Sequence, residues 1–152
     1  MATATEATIK TVVETLNKQI ANWGVLYVKI HNYHWFVKGK NFFTLHEKFQ
    51  ELYEEASVHL DELAERVLSI KGKPIATMKE MLSEATVKEA AGNESADQMI
   101  KEIVKDFQTM IAEMRKGIDQ ADEAGDHTTA DMLTGIQNSL EKHVWMLEAT
   151  LG

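Results

Sequence analysis

Four side chains of metal-ligand type, His34, His46, Asp61 and Glu65, stand out in this 152-residue chain because they cannot meet within one copy of it. His46, Asp61 and Glu65 fall on one uninterrupted helical stretch, where a rise of 1.5 Å per residue puts His46 and Asp61 roughly 22 Å apart. No single ion bridges that distance. Asp61 and Glu65, four positions apart, project from one helix face and could bracket one cation. Two imidazoles with one or two carboxylates suit ferrous iron, and so sparse a set leaves positions open for water, peroxide or oxygen. If all four are ligands, a second copy of the chain must complete the site. Each half also has a plainer reading. A histidine on an apolar stripe is how a satisfied core or interface histidine looks, and a carboxylate pair at i and i+4 is how a solvated helix face looks.

The elements that would position these residues are helices. The single proline, Pro74, leaves long stretches uninterrupted. Ile9, Val13, Leu16, Ile20, Trp23, Tyr27, Ile30 and His34 step by three or four and mark the inward stripe of a first long helix, with Thr3 and Glu6 spaced as a capping box. Lys38-Gly39-Lys40-Asn41 breaks the pattern. Thr44 and Glu47 form a second capping box, opening a helix with the stripe Leu45, Phe49, Leu52, Ala56, Leu60, Leu63, Val67 and Ile70, which Gly72 and Pro74 end. Thr77 to Glu80 caps a short helix around Met78 to Leu82 inside a connection lasting to about Asn93. Ser95 and Gln98 open a third long helix that stops at Gly125, and a fourth runs from about Thr128 through Leu147. Two helical hairpins joined by a long connection give an all-α four-helix bundle of ferritin-like arrangement, with a short extra helix in the crossover between helices two and three. Residues 1–152 read as one such domain, with 1–7 a flexible N-terminal segment.

Helices one and two share a short loop near Gly39, so they should run antiparallel with residue numbers across the hairpin summing to about 80. His34 then lies level with His46, while Asp61 and Glu65 lie level with positions near 19 and 15. Two half-sites thus sit on one hairpin, about four helical turns apart. A twofold axis between two antiparallel hairpins would bring the histidines of each copy against the carboxylates of the other, making two equivalent sites. His59 falls on the other side of the second helix and is expected to be exposed. His31, one turn before His34, reads as either an outer neighbour of the site or surface.

Composition narrows the function classes. A 44% hydrophobic content with one proline excludes a disordered chain, and a net charge of -8 with pI near 5.2 favours attracting cations over binding nucleic acid or anionic membrane. MATATEATIK carries one lysine and no charged start before an apolar stretch, so neither a basic DNA-binding arm nor a signal peptide is expected. No apolar run reaches the roughly 18 residues a bilayer span needs. Without cysteine there is no disulfide, zinc-thiolate site or thiol nucleophile, in keeping with a cytoplasmic location. No histidine has a glutamate three residues before it, which disfavours a di-iron site built within one bundle. HExxH, GxxxxGK[ST] and GxSxG are also absent.

Three ordered blocks then carry a family resemblance: His31-Asn-Tyr-His34-Trp35, Asn41-Phe-Phe-Thr-Leu-His46-Glu47-Lys48, and Asp61-Glu-Leu-Ala-Glu65-Arg66. With the closing Lys142-His-Val-Trp145-Met, they closely resemble the Dps family of miniferritins from about residue 10 onward. The resemblance implies a hollow shell of twelve subunits with ferroxidase centres at twofold interfaces. These would oxidise Fe(II) with hydrogen peroxide, and with oxygen less efficiently, and store ferric mineral inside, protecting against oxidative stress. It implies His34 and His46 from one subunit and Asp61 and Glu65 from its neighbour as iron ligands, with Trp35 an aromatic beside the centre or an interface residue. Gln50 stands where some relatives carry an aspartate for a second iron position, and a neutral amide is the weaker ligand for a hard cation, so that position stays open. Asp122 and Asp131 match an acidic threefold pore, Asp126 is an addition to it, and His127 replaces a further acid. For any one of these acids alone, a helix end and cap is the favoured reading. Glu51, Glu54 and Glu55 are candidates for nucleating mineral, or simply a solvated face. Cobalt, zinc or manganese would compete for the same nitrogen and oxygen ligands. Some relatives bind DNA through basic tails; this sequence shows none at either end, and DNA binding at neutral pH is not expected.

Overall fold

A computed structural model describes residues 5–152, which form five helices and no strand. The helices are α1 (Glu6–Phe36), α2 (Phe42–Ser69), α3 (Met78–Glu84), α4 (Ala96–Glu123) and α5 (His127–Leu151). The chain is an all-α four-helix bundle with a short fifth helix in the crossover. α1 packs along α2 and α4 along α5, while α1 also touches α3 and α4. The core is apolar and continuous, with Trp23, Tyr33, Phe49 and Phe107 all sealed from solvent alongside Leu16, Leu26, Leu52 and Leu63. Burial of each such leucine contributes about 1.5–3 kcal/mol.

α1 departs from a simple stripe. Its middle is buried almost all round, including Ala21, Asn22 and Lys29, because three other helices lie against it, whereas Ile9 and Tyr27 at the stripe's edge remain exposed. Asn22 anchors the crossover: its side-chain oxygen accepts from the N–H of Thr86 (2.8 Å) and Val87 (3.3 Å), and its amide donates to Glu113. At the end of the same connection, Glu94 accepts from the N–H of Ala91, Gly92 and Asn93 and from the Tyr33 hydroxyl at 2.7 Å. Partial burial pushes the Glu94 carboxyl upward, but these donors outweigh it and hold the group down at about 2.

The expected capping boxes fare differently. Thr77 and Ser95 cap α3 and α4 as expected, and Ser95 with Gln98 forms the full reciprocal box. Thr3 lies outside the described residues, as do residues 1–4 of the expected flexible segment; α1 is capped by Thr5, which accepts from the N–H of Thr8. Thr44 and Glu47 do not open α2. Gly39, at φ 114°, turns the chain so tightly that Phe42 N–H reaches the Gly39 carbonyl and the helix starts at Phe42, leaving Thr44 inside it. At the other end of α2 the left-handed residue is Lys71 (φ 68°), not Gly72. Gly72 is needed for a different reason: a Cβ there would stand 2.6 Å from Val13 Cγ2 and 3.0 Å from Val67 Cγ1, so the loop packs flush against α1 only without one. Gly125 does stop α4, with Asp126 N–H returning to the Ala121 carbonyl.

Candidate metal centre

The short loop at Gly39 brings the end of α1 beside the start of α2, and the two histidines meet there. His34 Nδ1 lies 2.6 Å from the His46 carbonyl oxygen, and His46 Nδ1 lies 2.7 Å from the His34 carbonyl oxygen. A carbonyl oxygen only accepts, so both Nδ1 atoms carry the hydrogen, and in the neutral rings the lone pair lies on Nε2. The His34 carbonyl belongs to the last turn of α1, where no further helical N–H is available, so His46 serves as its cap. The rings stack at 3.6 Å between centroids and 15° between planes, and Phe42 covers the far face of His46. His34 is only 7% exposed. The chain thus holds two nearly parallel imidazole rings whose Nε2 atoms are the nitrogens left for a ligand role.

Further aromatic rings brace this pair. Tyr53 meets the His34 ring edge-on at 5.3 Å and stacks on His31 at 3.6 Å. His31 Nδ1 donates to the Tyr27 carbonyl of its own helix at 2.6 Å, and its ring leads on to Trp35 at 5.3 Å. Trp35 itself is 64% exposed, with Phe36 and Phe43 similarly open around the histidine end of the hairpin. Gln50 lies exposed on the same side of α2 and donates to Glu54 at 3.1 Å.

Asp61 and Glu65 are exposed on α2, four turns beyond His46. Among the described residues neither carboxylate has a hydrogen-bond or ion-pair partner, and no three His, Asp or Glu side chains gather as a ligand set. One chain therefore brings His34 to His46 and Asp61 to Glu65, but keeps the two pairs apart.

The acids near Gly125 divide by what already occupies them. Asp126 is the N-cap of α5: it accepts from Thr129 N–H at 3.0 Å, from the Thr129 hydroxyl, and from Arg66 at 2.8 Å. Burial pushes its carboxyl upward, yet Thr129 and Arg66 more than offset this and hold it below the usual carboxylate range. Asp122 pairs with His127 Nδ1 at 3.0 Å, with both side chains open to solvent, and Asp131 is exposed.

His59 is not exposed as its place on α2 suggested. Its side chain is 12% accessible and its ring lies 4.9 Å from that of Trp23. The reason is angular: His59 follows Ala56 by three and precedes Leu63 by four, and both are fully buried. It belongs to a polar seam between α2 and α5 that the sequence analysis missed, in which Glu55 accepts from Ser139 at 2.8 Å and pairs with His143 at 2.8 Å. His143 follows Leu140 by three and precedes Leu147 by four, a spacing that would have placed it inward.

Comparison with known proteins agrees with this architecture. Residues 13–152 match the ferritin-like domain family. The chain is 60% identical over 140 residues to general stress protein 20U of Bacillus subtilis (strain 168), covering 92% of this chain and 97% of that protein. It is 62% identical over 136 residues to the DNA protection during starvation protein of Brevibacillus brevis, covering 90% and 91% respectively. The crystal structure of a Dps protein from Bacillus brevis superposes with a TM-score of 0.96 at 58% identity, covering 97% of this chain and 99% of that one. With its five helices, long crossover and paired α1–α2 histidines, the chain belongs to the ferritin-like proteins and, within them, to the bacterial Dps miniferritins.

Proposed function

We propose that this protein is a ferroxidase and iron store, oxidising Fe(II) with hydrogen peroxide at sites shared between twofold-related subunits and keeping the ferric product inside a dodecameric shell. The observation that carries this reading is the reciprocal bonding of His34 and His46, which leaves both Nε2 atoms without a protein partner and, among the described residues, no third ligand beside them. Asp61 and Glu65 of the partner subunit complete it, supplying the hard oxygen ligands and the negative charge that favour the oxidised ion. Peroxide reaching the site would take one electron from the bound ferrous ion and one from a second, more weakly held ferrous ion, and its O–O bond breaks. Water supplies the remaining oxygen of the ferric oxyhydroxide, and protons are released. Phe42, stacked on His46, and Tyr53, edge-on to His34, hold the imidazoles still and limit solvent around them. Trp35 and His31 stand at the rim of the centre and line the twofold interface.

Gln50 leaves the second iron position without its carboxylate, so one iron per site is well defined. Asp122 and Asp131 line the threefold entry in this reading, with Asp126 contributing a charge already balanced by Arg66. Protection of DNA, which the Brevibacillus brevis relative is named for, would follow from removing ferrous iron and peroxide together, without DNA binding. No helix among the described residues is long and apolar enough to cross a membrane, and the proposed location is the cytoplasm.

Anaerobic ferrous titration followed by peroxide tests the assignment on the intact protein, His46→Ala and Asp61→Ala. Both variants should lose tight ferrous binding and slow peroxide-dependent oxidation by at least tenfold. Unchanged binding and oxidation in both would remove the proposed centre.

A further inference from the structure

Between α2 and α5 the bundle is bridged by long polar side chains, and at their middle two imidazoles converge on one carboxylate oxygen. His143 Nε2 stands 2.8 Å and His59 Nε2 stands 3.9 Å from Glu55 Oε2. His59 is the anomaly. Both its ring nitrogens are buried and neither has a hydrogen-bond partner, although a buried imidazole ordinarily finds one. Glu62 adds a second negative charge nearby.

The geometry points to a divalent-cation site within each chain, formed by Glu55 and His59 of α2 and His143 of α5, separate from the His34–His46 centre. The ligands are two nitrogens and one oxygen, which suits a borderline first-row ion such as Zn(II), Co(II) or Fe(II). Such an ion holds its ligands at roughly 2.0–2.1 Å, so ligand atoms at tetrahedral angles lie about 3.3 Å apart. The distances of 2.8 and 3.9 Å fall on either side of that value. Adjustments of about half an ångström, within side-chain rotation, convert the hydrogen-bonded arrangement into a coordinated one. Among the described residues no ready-made ligand trio exists, and the His143–Glu55 hydrogen bond must open to admit an ion.

Two neighbours complete the picture. Ser139 holds the other oxygen of Glu55 at 2.8 Å and fixes the carboxylate's orientation. Lys48 Nζ lies 3.5 Å from His143 Nδ1 and 3.1 Å from Glu51, so ion binding turns the lysine wholly onto Glu51 as the proton of His143 moves to Nδ1. On its His59 side the site meets a groove also lined by Glu62, Glu65, Arg66 and Asp131, where three acids outnumber one arginine. The bound ion would clasp the two hairpins through α2 and α5.

Co(II) alone is the probe. Crystals of the assembled protein soaked in Co(II) should show an anomalous peak within coordination distance of Glu55 Oε2, His59 Nε2 and His143 Nε2; no peak there, or only a water, overturns the proposal. In solution, equilibrium dialysis should find about one Co(II) fewer per chain in His59→Leu than in the wild type. Equal counts overturn it. His59→Leu exchanges an unpartnered buried imidazole for a leucine of similar bulk, so the variant should fold. Should it fail, His143→Gln removes a ligand while keeping a polar partner for Glu55, and the same counts decide.

Discussion

Mixing two kinds of defective chain should restore oxidation to an amount that geometry fixes in advance. Let one chain carry His34→Ala and His46→Ala, and the other Asp61→Ala and Glu65→Ala. On the proposed reading each alone should be inactive, because every site in its twofold dimers lacks one half. In a mixed dimer one site gathers both defects, and the other gathers intact histidines from one chain and intact carboxylates from its partner. Random assembly makes about half the dimers mixed, so about one quarter of all sites should be whole. The figure follows from the roughly 22 Å that α2 places between His46 and Asp61, which no side-chain rearrangement within a chain closes. The assay is the initial rate of peroxide-dependent Fe(II) oxidation after unfolding the two variants together and refolding them, against each refolded alone. Activity near one quarter of the refolded wild type supports the shared site. A mixture no more active than its parents refutes it, provided that it has assembled to the same size.

Other perturbations test the frame around the centre. Replacing Gln50 with aspartate should raise tightly bound iron from about one to about two per site, read by anaerobic titration, because it restores a carboxylate one turn from His46. Glu94→Gln should destabilise the fold at neutral pH by about 1–2 kcal/mol, after discounting the shift for solvent screening. Since the folded carboxyl is held at about 2 against an ordinary 4.5, its contribution is complete above pH 4.5 and is lost as the pH falls from there towards 2. The gap between variant and wild type in denaturant melts should close over that range. Lys71→Gly should raise Tm by a few degrees, by relieving a left-handed backbone worth about 1 kcal/mol, whereas Gly72→Ala should cost about 1–3 kcal/mol by pushing Val13 and Val67 aside.

The helices were legible because their signals are local. Ser95 with Gln98, Thr77 with Glu80 and the stop at Gly125 are short-range bonds between residues three to five apart, and each forms as its spacing predicts. Thr44 and Glu47 had the same spacing and formed no cap, because the loop geometry at Gly39 decided where α2 begins. The meeting of His34 and His46 followed from hairpin register alone. The crossed Nδ1-to-carbonyl bonds did not, since they depend on which way each ring turns. The seam of Lys48, Glu55, His59, Ser139 and His143 was hidden because its members are polar and lie on two helices far apart in sequence. Only the packing of one hairpin on the other brings them together. A polar residue between two buried ones on a helix is nevertheless a usable sign of such a seam.

The length of α2 has a consequence for the chain's life before assembly. A newly made subunit presents its imidazoles at one end of a rod and its carboxylates at the other, so on the proposed reading it can neither grip iron firmly nor consume peroxide. Reactivity switches on only when a second subunit docks, in the same event that begins to enclose the space where the product will collect. Ferric product is thus never released by stray monomers, and dilution or damage that separates subunits silences the chemistry along with the container.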